Sequence, residues 1–435
     1  MYIIFLINLV SSNDFETINI IDYKKYISIY CLHRFNQLYY KMKINLILLL
    51  FLLFSLIKRI NWSYFTTWGS SVYLINLPNN ILANNSIRQI FRVSLSGNNI
   101  RIKFSNKYGK TNLEIKEATL ADSISQGTGE IDITKLKSIY FKGAKNIFIP
   151  PGIEVYSDLI SYSLKALSEI AISIYFGETP IKLTGHPLSK TFSFIEKGNK
   201  IYNKKFKTRY KVAHWYIISA IEILSYSPNK VIVCFGDSIT DGFGSILDRQ
   251  NRWPDLLSKK LNLNRLTSNF GVINKGIQGT SLTSHGLKRF SYDILGVKGI
   301  SHIIVLYGIN DILRLNKNSS NIISAYKQII KEAHNNNIVI YGGTILPCRS
   351  YFRWGKRKEK FRQEVNRWIR NTNPERGGFD SFFDFDKFIR DPNDVTKMYN
   401  AYDSGDGIHP NPKGFQRMVK SIIKLQIFTK DFSHH

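Results

Sequence analysis

"VIVCFGDSITDGFGS", residues Val231 to Ser245, decides the fold of the C-terminal half of this chain. An apolar run ends abruptly in Gly236-Asp237-Ser238, and a second glycine-rich patch follows at once. A buried strand that stops at turn-forming residues is typical of an ordinary strand-to-helix turn, or of a turn that presents a serine hydroxyl. The second alternative makes Ser238 a candidate nucleophile.

The segments around this stretch alternate between strand-like and helix-like patterns. Strand-like runs are FGVINKG, GISHIIVLYG, IVIYGG and FDSFFDFDKFI, and helix-like runs are RWPDLLSKKLN, SNIISAYKQIIKEAHNNN, KEKFRQEVNRWIRNT and NPKGFQRMVKSIIKLQIF. This alternation predicts a parallel sheet covered by helices on both faces. We therefore expect residues 227–435 to form an α/β domain.

Residues 61–226 show a different period, with short alternating runs separated by turn signals. Such a pattern predicts a β-rich, sandwich-like domain. Within it, Ser96-Gly97-Asn98-Asn99 reads as the turn of a hairpin. No cluster of catalytic residue types stands out in this region, and we expect the isolated residues His186 and Asp158 to be structural.

The front of the chain carries a lysine followed by an apolar run over residues 44–57. The length of this run predicts a signal peptide, or an uncleaved signal-anchor, over residues 42–60, which makes the protein secreted or membrane-anchored through 44–57. Residues 1–41 are an extension of unclear status, and one hypothesis is that translation begins at Met42. Sequons at Asn61, Asn84 and Asn318 fit a secreted glycoprotein.

The bulk composition narrows the classes of function. The net charge is +28, but the lysines are scattered rather than clustered, so we expect no nucleic-acid partner. The three cysteines show no metal-ligand spacing and no disulfide framework. We therefore expect no metal site and no cofactor.

Four predicted strand or loop ends carry residues suited to acyl chemistry. They are Gly236-Asp237-Ser238, Gly276-Ile277-Gln278-Gly279, Gly308-Ile309-Asn310-Asp311 and Asp406-Gly407-Ile408-His409-Pro410. Ligands of open parallel sheets bind at the carboxyl ends of the strands. The sequence thus predicts that these four sets meet at one edge of the sheet.

The residue types suggest a mechanism for that edge. A serine hydroxyl needs a base, a histidine suits that task near neutral pH, and a carboxylate fixes the imidazole tautomer. We predict Ser238, His409 and Asp406 in these roles. Candidate oxyanion donors are the backbone N–H groups of Ser238 and Gly279 and the side-chain amide of Asn310.

These four sets resemble the conserved blocks of the SGNH hydrolases, also called the GDSL lipase/esterase family. The resemblance implies a flavodoxin-like three-layer α/β/α SGNH domain, with the family's named residues at Ser238, Gly279, Asn310 and His409 and its acidic residue at Asp406. It looks closer to secreted arylesterases and acetylxylan-type esterases with an N-terminal β-rich domain. One departure is Thr280, where related sequences often carry Asn.

The resemblance leaves three functions to weigh. The leading one is a serine esterase that removes short acyl groups, acetyl above all, from a small ester or an acetylated polysaccharide. The second is a lipase or phospholipase, which needs an apolar channel for a long acyl chain. The third is a carbohydrate-binding protein without activity, which predicts a missing residue in the constellation, and none is missing.

Overall fold

The computed structural model describes residues 20–57, 62–76, 81–208 and 210–423. Residue contacts divide the chain into two compact units, Met1–Asn61 and Trp62–His435. In the first unit, helix α1 spans Ile20–Ile57 and includes the apolar run 44–57. The described part of the chain contains no helix that is both long enough and apolar enough to span a membrane. Residues 1–19 of the predicted extension and the sequon at Asn61 lie outside the described residues.

The N-terminal part of the second unit is built from short antiparallel strands. They are β1 Ser63–Gly69, β2 Tyr73–Asn76, β3 Asn85–Arg92, β4 Gly97–Ser105, β5 Leu113–Ser125, β6 Glu130–Ile131, β7 Lys137–Ile139, β8 Ile147–Ile149, β9 Glu154–Tyr156, β10 Ile160–Leu164, β11 Glu169–Phe176, β12 Lys182–Pro187, β13 Ser193–Lys197, β14 Lys211–Val212, β15 His214–Tyr216 and β16 Ile218–Ser225. Two larger sheets have the orders β1-β16-β4-β10 and β14-β13-β3-β11-β5-β6, and a small sheet has the order β15-β12-β2. Side chains of both larger sheets, such as Ile102 and Ile172, share one buried core. We call this part of the chain the β-rich region.

The predicted hairpin around Ser96 is wrong. β3 pairs with β11 and β13, whereas β4 pairs with β16, β10 and β9, so the two strands belong to different sheets. Ser94, in the connection between β3 and β4, is bound to other segments instead. Its Oγ donates to the carbonyl of Thr67 at 2.7 Å and accepts the N–H of Val272 at 3.1 Å. Alternation of apolar residues shows which face of a strand is buried, but it does not identify the neighbouring strand.

The C-terminal part is a doubly wound α/β fold, as the sequence predicts. Its strands are β17 Lys230–Gly236, β18 Phe270–Gly276, β19 Ile300–Leu306, β20 Val339–Gly343 and β21 Ser381–Phe383. Its helices are α2 Ser238–Asp241, α3 Trp253–Asn262, α4 Leu287–Phe290, α5 Ile309–Leu313, α6 Ser319–Asn335, α7 Lys356–Arg370, α8 Phe385–Ile389 and α9 Pro412–Ile423. Two π-helical turns, Leu282–Gly286 and Ser291–Leu295, flank α4, and 3₁₀ turns span Ile133–Lys135, Pro374–Arg376 and Asn400–Tyr402.

The sheet order is β18-β17-β19-β20-β21, and all pairs are parallel. This is the flavodoxin-like order, in which the chain reverses direction across the sheet after its first two strands. One helix group consists of α9 packed on α3 and α8, and the other of α7 packed on α5 and α6. Because helices cover both faces, every side chain from Val231 to Phe235 is fully buried.

One detail near the C-terminus differs from the sequence pattern. The run FDSFFDFDKFI is a strand only over Ser381–Phe383, because Asp384 then accepts the N–H of Lys387 and caps α8. The closing helix is described as far as Ile423, and residues 424–435 lie outside the described residues.

The β-rich region packs directly on the parallel sheet. The Nζ of Lys275, in β18, donates to the carbonyl of Ser70 at 2.8 Å, and Arg289 donates to Ser71 Oγ at 2.7 Å. Thr66 donates its N–H to the carbonyl of Lys298 at 3.0 Å. These contacts place the β-rich region beside the strands that bear the predicted catalytic residues.

Candidate active site

Ser238 lies where the fold predicts a ligand site. β17 ends at Gly236, which pairs in register with Gly276 of β18 and with Leu306 of β19, so three strand ends lie at one level. Asp237 then caps α2, accepting the N–H of Ile239 at 3.0 Å. The serine is the first residue of this short helix, at the switch point of the sheet.

The structure brings the predicted base and its carboxylate to this hydroxyl. Ser238 Oγ lies 2.8 Å from His409 Nε2, and His409 Nδ1 lies 2.6 Å from Asp406 Oδ2. The other carboxylate oxygen of Asp406 accepts the backbone N–H groups of His409 at 2.9 Å and Ile408 at 3.1 Å. The carboxylate is therefore oriented by its own loop before it meets the imidazole.

The protonation states suit proton transfer. Burial, as the largest cause, lowers the pKa of His409, although the hydrogen bond and charge of Asp406 act in the opposite direction. Burial raises the pKa of Asp406, but the hydrogen bonds from the His409 side chain and backbone outweigh it, so the pKa is lowered overall. At neutral pH the pair is thus a neutral imidazole beside an ionised carboxylate. Such an imidazole can accept a proton from the serine.

The three predicted donors lie around the same strand ends. Asn310 is in α5, and its Nδ2 donates to the carbonyl of Thr280 at 2.9 Å, which leaves its second N–H for a ligand. Gly279 adopts a φ of +74°, a conformation that glycine takes without strain. Within the described residues, the backbone N–H groups of Ser238 and Gly279 have no hydrogen-bond acceptor.

Two residues support the strand ends that carry these donors, and the sequence did not predict that function for either. Asp311 is fully buried and accepts the N–H groups of Leu282 at 2.8 Å and Thr283 at 2.9 Å, which ties the segment after Gly279 to α5. The position of Asp311 directly after Asn310 in Gly308-Ile-Asn-Asp was the available signal.

Arg289 was also missed, and no local pattern marks it. It donates to the carbonyls of Gly236 at 3.0 Å and Lys275 at 2.8 Å, and so closes the ends of β17 and β18. It also donates to Tyr307 Oη at 2.7 Å, and that hydroxyl contacts Thr280 Oγ1 at 2.9 Å. Thr280 is therefore part of the hydrogen-bond network next to Gly279.

An open cleft borders Asp406 and Phe243, two residues that contact the His409 side chain. It has a volume of about 750 Å³ and is lined by Lys190, Phe243, Gly244, Ser245, Asp403, Ser404, Gly405, Asp406 and Asn411. The ring of Phe243 lies 4.3 Å from that of His409, between centroids, and the ammonium of Lys190 lies 5.1 Å from the Phe243 ring. The cleft is thus polar with one aromatic wall, and the β-rich region contributes Lys190 to it.

Other chemistries find no comparable support in the described residues. No group of three or more His, Cys, Asp or Glu side chains there could hold a metal ion. Cys234 and Cys348 are buried and free, and burial raises the pKa of the Cys348 thiol to about 12. A hydroxyl–imidazole–carboxylate relay on a doubly wound sheet is, in contrast, an arrangement typical of serine hydrolases.

Comparison with known proteins agrees with this class. Residues 234–417 match the GDSL-like Lipase/Acylhydrolase family, so the chain contains a GDSL-like lipase/acylhydrolase domain. No curated protein matched the chain.

Similar solved structures include a member of the lipolytic G-D-S-L family from Veillonella parvula DSM 2008 (20% identity, 45% of this chain and 98% of that chain, TM-score 0.36). Others are a lipase/acylhydrolase from Enterococcus faecalis (20%, 45% and 94%, 0.36) and a GDSL-like lipase from Bacteroides thetaiotaomicron VPI-5482 (20%, 45% and 86%, 0.35).

Proposed function

We propose that the protein is a serine esterase that hydrolyses short-chain esters through an acyl-enzyme on Ser238. The observation that carries the proposal is the relay from Ser238 Oγ to His409 Nε2 at 2.8 Å and from His409 Nδ1 to Asp406 Oδ2 at 2.6 Å. A hydroxyl this close to a neutral, oriented imidazole can lose its proton as it attacks an acyl carbon.

The reaction follows from these groups. Ser238 Oγ bonds to the acyl carbon while its proton moves to His409 Nε2, and the carbonyl oxygen becomes an oxyanion held by the donors at Ser238, Gly279 and Asn310. The alcohol departs with the proton from Nε2, leaving an acyl-serine. Water then attacks the acyl carbon and gives a proton to Nε2; the bond from the acyl carbon to Ser238 Oγ breaks, Nε2 returns the proton to Oγ, and the carboxylic acid leaves.

The polar cleft favours an alcohol side rich in hydroxyl groups. It offers an ammonium, carboxylates, hydroxyls and the Phe243 ring beside the imidazole, which are the groups that bind sugars. We therefore propose acetyl esters on a polysaccharide as the substrate class. An ammonium, from Lys190, and the carboxylates of Asp403 and Asp406 line it, so the cleft does not resemble the apolar channel that a long acyl chain requires.

Secretion belongs to the same proposal. The lysine-led apolar run 44–57 supports export, and the sequon residues Asn84 and Asn318 are both exposed, which N-glycosylation requires. Sequencing the N-terminus of the secreted protein tests export and cleavage together. A secreted protein that begins upstream of residue 42 contradicts cleavage and the start at Met42, and absence of the protein from the medium contradicts export.

The activity is tested with p-nitrophenyl acetate. Ser238→Ala and His409→Ala should each abolish hydrolysis while far-UV circular dichroism and melting temperature stay near those of the wild type. Ser258→Ala is a matched control, because this buried serine hydroxyl in α3 makes no hydrogen bond in the described structure. Full activity in either active-site variant refutes the mechanism.

The substrate class needs a separate comparison. Initial rates on acetyl, butyryl and octanoyl p-nitrophenyl esters, and acetate release from acetylated xylan and pectin, distinguish a short-chain esterase from a lipase. We expect the acetyl ester to be preferred and at least one polysaccharide to release acetate. A preference for the octanoyl ester favours the lipase alternative.

A further inference from the structure

A chain of contacts runs from the β-rich region to the loop that carries Gly279. His186 is on β12 and is 2% exposed. Its Nε2 lies 2.9 Å from Oδ1 of Asp241, the last residue of α2. The other carboxylate oxygen of Asp241 accepts the backbone N–H of Gln278 at 3.1 Å. His186, for which the sequence predicts only a structural role, thus contacts the helix that begins with Ser238.

The protonation of His186 follows from its partners. Its Nδ1 lies 2.7 Å from the carbonyl of Ser71, and a carbonyl can only accept, so Nδ1 carries a proton. Its Nε2 faces a carboxylate, so one further proton is held between this nitrogen and Asp241. Because Asp241 is buried, at 5% exposure, its carboxylate would be costly without such a donor.

The backbone that leads into Gln278 also packs closely against α2. A Cβ at Gly276 would lie 2.2 Å from the backbone nitrogen of Asp241, so the loop backbone is pressed against α2. Asn274 Nδ2 also donates to the carbonyl of Thr240 at 2.8 Å. The N–H of Gln278 is one peptide away from the N–H of Gly279, so the carboxylate that holds the first also sets the direction of the second.

We propose that Asp241 and His186 are positioning residues for oxyanion stabilisation: Asp241 fixes the Gln278–Gly279 backbone relative to Ser238, and His186 holds Asp241 in place. The inference rests on the proposed function and assigns the β-rich region a part in it. Loss of one oxyanion donor lowers kcat by about 10²- to 10³-fold. A donor that is displaced rather than removed should lower kcat by about 10- to 100-fold.

The test compares Asp241→Ala and His186→Leu with the wild type on p-nitrophenyl acetate. Both variants should lose about 10- to 100-fold in kcat, while KM changes by less than about threefold, because the donors act mainly in the transition state. His186→Gln retains an N–H donor near the position of Nε2, and it should recover most of the lost kcat.

Leu183→Ala provides the control for a purely structural effect. Leu183 is fully buried on the same strand as His186, so its truncation destabilises the protein through a cavity without touching α2. If His186→Leu loses no more kcat than Leu183→Ala at similar melting temperatures, or if the loss lies in KM, the inference is overturned.

Hydrogen exchange gives a readout that does not depend on activity. In Asp241→Ala and His186→Leu, the hydrogen-bonded amides of Ile277, Gln278 and Thr280 should exchange faster, whereas Leu183→Ala should leave their exchange unchanged. Unchanged exchange in the first two variants also overturns the inference. If the wild type hydrolyses no ester, the proposed function fails, and exchange still decides whether the two residues position the loop.

Discussion

Replacing Asp406 by asparagine tests how the carboxylate serves the imidazole. The wild-type carboxylate accepts from His409 Nδ1 with one oxygen and from the backbone N–H groups of Ile408 and His409 with the other. Asparagine has nearly the same shape, but one of its two terminal groups is a donor. It can therefore satisfy only one of these two sides at a time.

The two orientations of the asparagine amide differ in free energy. If the amide oxygen stays on the two backbone N–H groups, the NH₂ faces Nδ1, which moves the imidazole proton to Nε2 and prevents it from accepting the proton of Ser238. The flipped amide restores the tautomer but loses both backbone hydrogen bonds and gains none, because each orientation makes one hydrogen bond with Nδ1. At about 1 kcal/mol per net hydrogen bond, the inactive tautomer is favoured by about 1–3 kcal/mol.

The substitution also removes the negative charge that stabilises the imidazolium. The carboxylate 2.6 Å from Nδ1 also stabilises the imidazolium that forms during the reaction, and hydrogen bonds to charged groups contribute about 1.5–3 kcal/mol. Together the two effects raise the barrier by about 3–6 kcal/mol. This corresponds to a loss in kcat of about 10²- to 10⁴-fold.

The assay is steady-state hydrolysis of p-nitrophenyl acetate by Asp406→Asn and Asp403→Asn. Asp403 is a matched control, because it lies in the same loop and accepts the N–H groups of Gly405 at 2.8 Å and Gly407 at 3.0 Å. We expect Asp403→Asn to lose much less than Asp406→Asn. An Asp406→Asn enzyme within tenfold of the wild type, or equal losses in both variants, would refute the reasoning.

Further outcomes follow from other residues. The kcat/KM for ester hydrolysis should rise with pH with a midpoint below 6.5, because burial lowers the pKa of His409 and only the deprotonated imidazole acts as a base. Lys190→Met should move that midpoint upward in a pH–rate profile, since the lysine charge disfavours the imidazolium. Gly279→Ala should lower kcat at least tenfold without changing circular dichroism, because the φ of +74° costs alanine about 1–2 kcal/mol. Arg362→Met should lower the free energy of unfolding in urea by about 3 kcal/mol, because two largely buried carboxylates, Glu359 and Asp386, lose their shared guanidinium, and only Asp386 keeps another, from Arg370.

The catalytic half was predictable because two simple rules act together. Continuous apolar runs mark strands that are covered on both faces, and ligands gather at the carboxyl ends of such strands. These rules bring Ser238, Gly279 and Asn310 to one edge without any knowledge of side-chain contacts. The loop from Asp406 to His409 follows no strand, and only the chemistry of its residues placed it there.

The unpredicted features depend on long-range pairing. The strands around Ser96 belong to separate sheets, because their partners are set by packing between distant segments. His186 meets Asp241 across 55 residues, and each looks unremarkable within its own segment. Arg289 acts on the carbonyls of two strand ends, and such acceptors are present at every strand end in any sequence.

The junction between the β-rich region and the site shows how firmly Lys190 is placed. Four non-glycine residues at this junction have left-handed backbone: Leu188 (φ 59°), Lys190 (58°), Asp248 (59°) and Gln250 (46°). Each conformation costs roughly 1–2 kcal/mol, so it persists only where other contacts offset it. The carbonyl of Lys190 accepts the N–H of Asp248 at 2.9 Å, which joins two of the strained residues to each other. The backbone of Lys190 is therefore held in place by this contact, its ammonium lies 5.1 Å from the Phe243 ring beside His409, and the β-rich region forms one wall of the cleft through this residue.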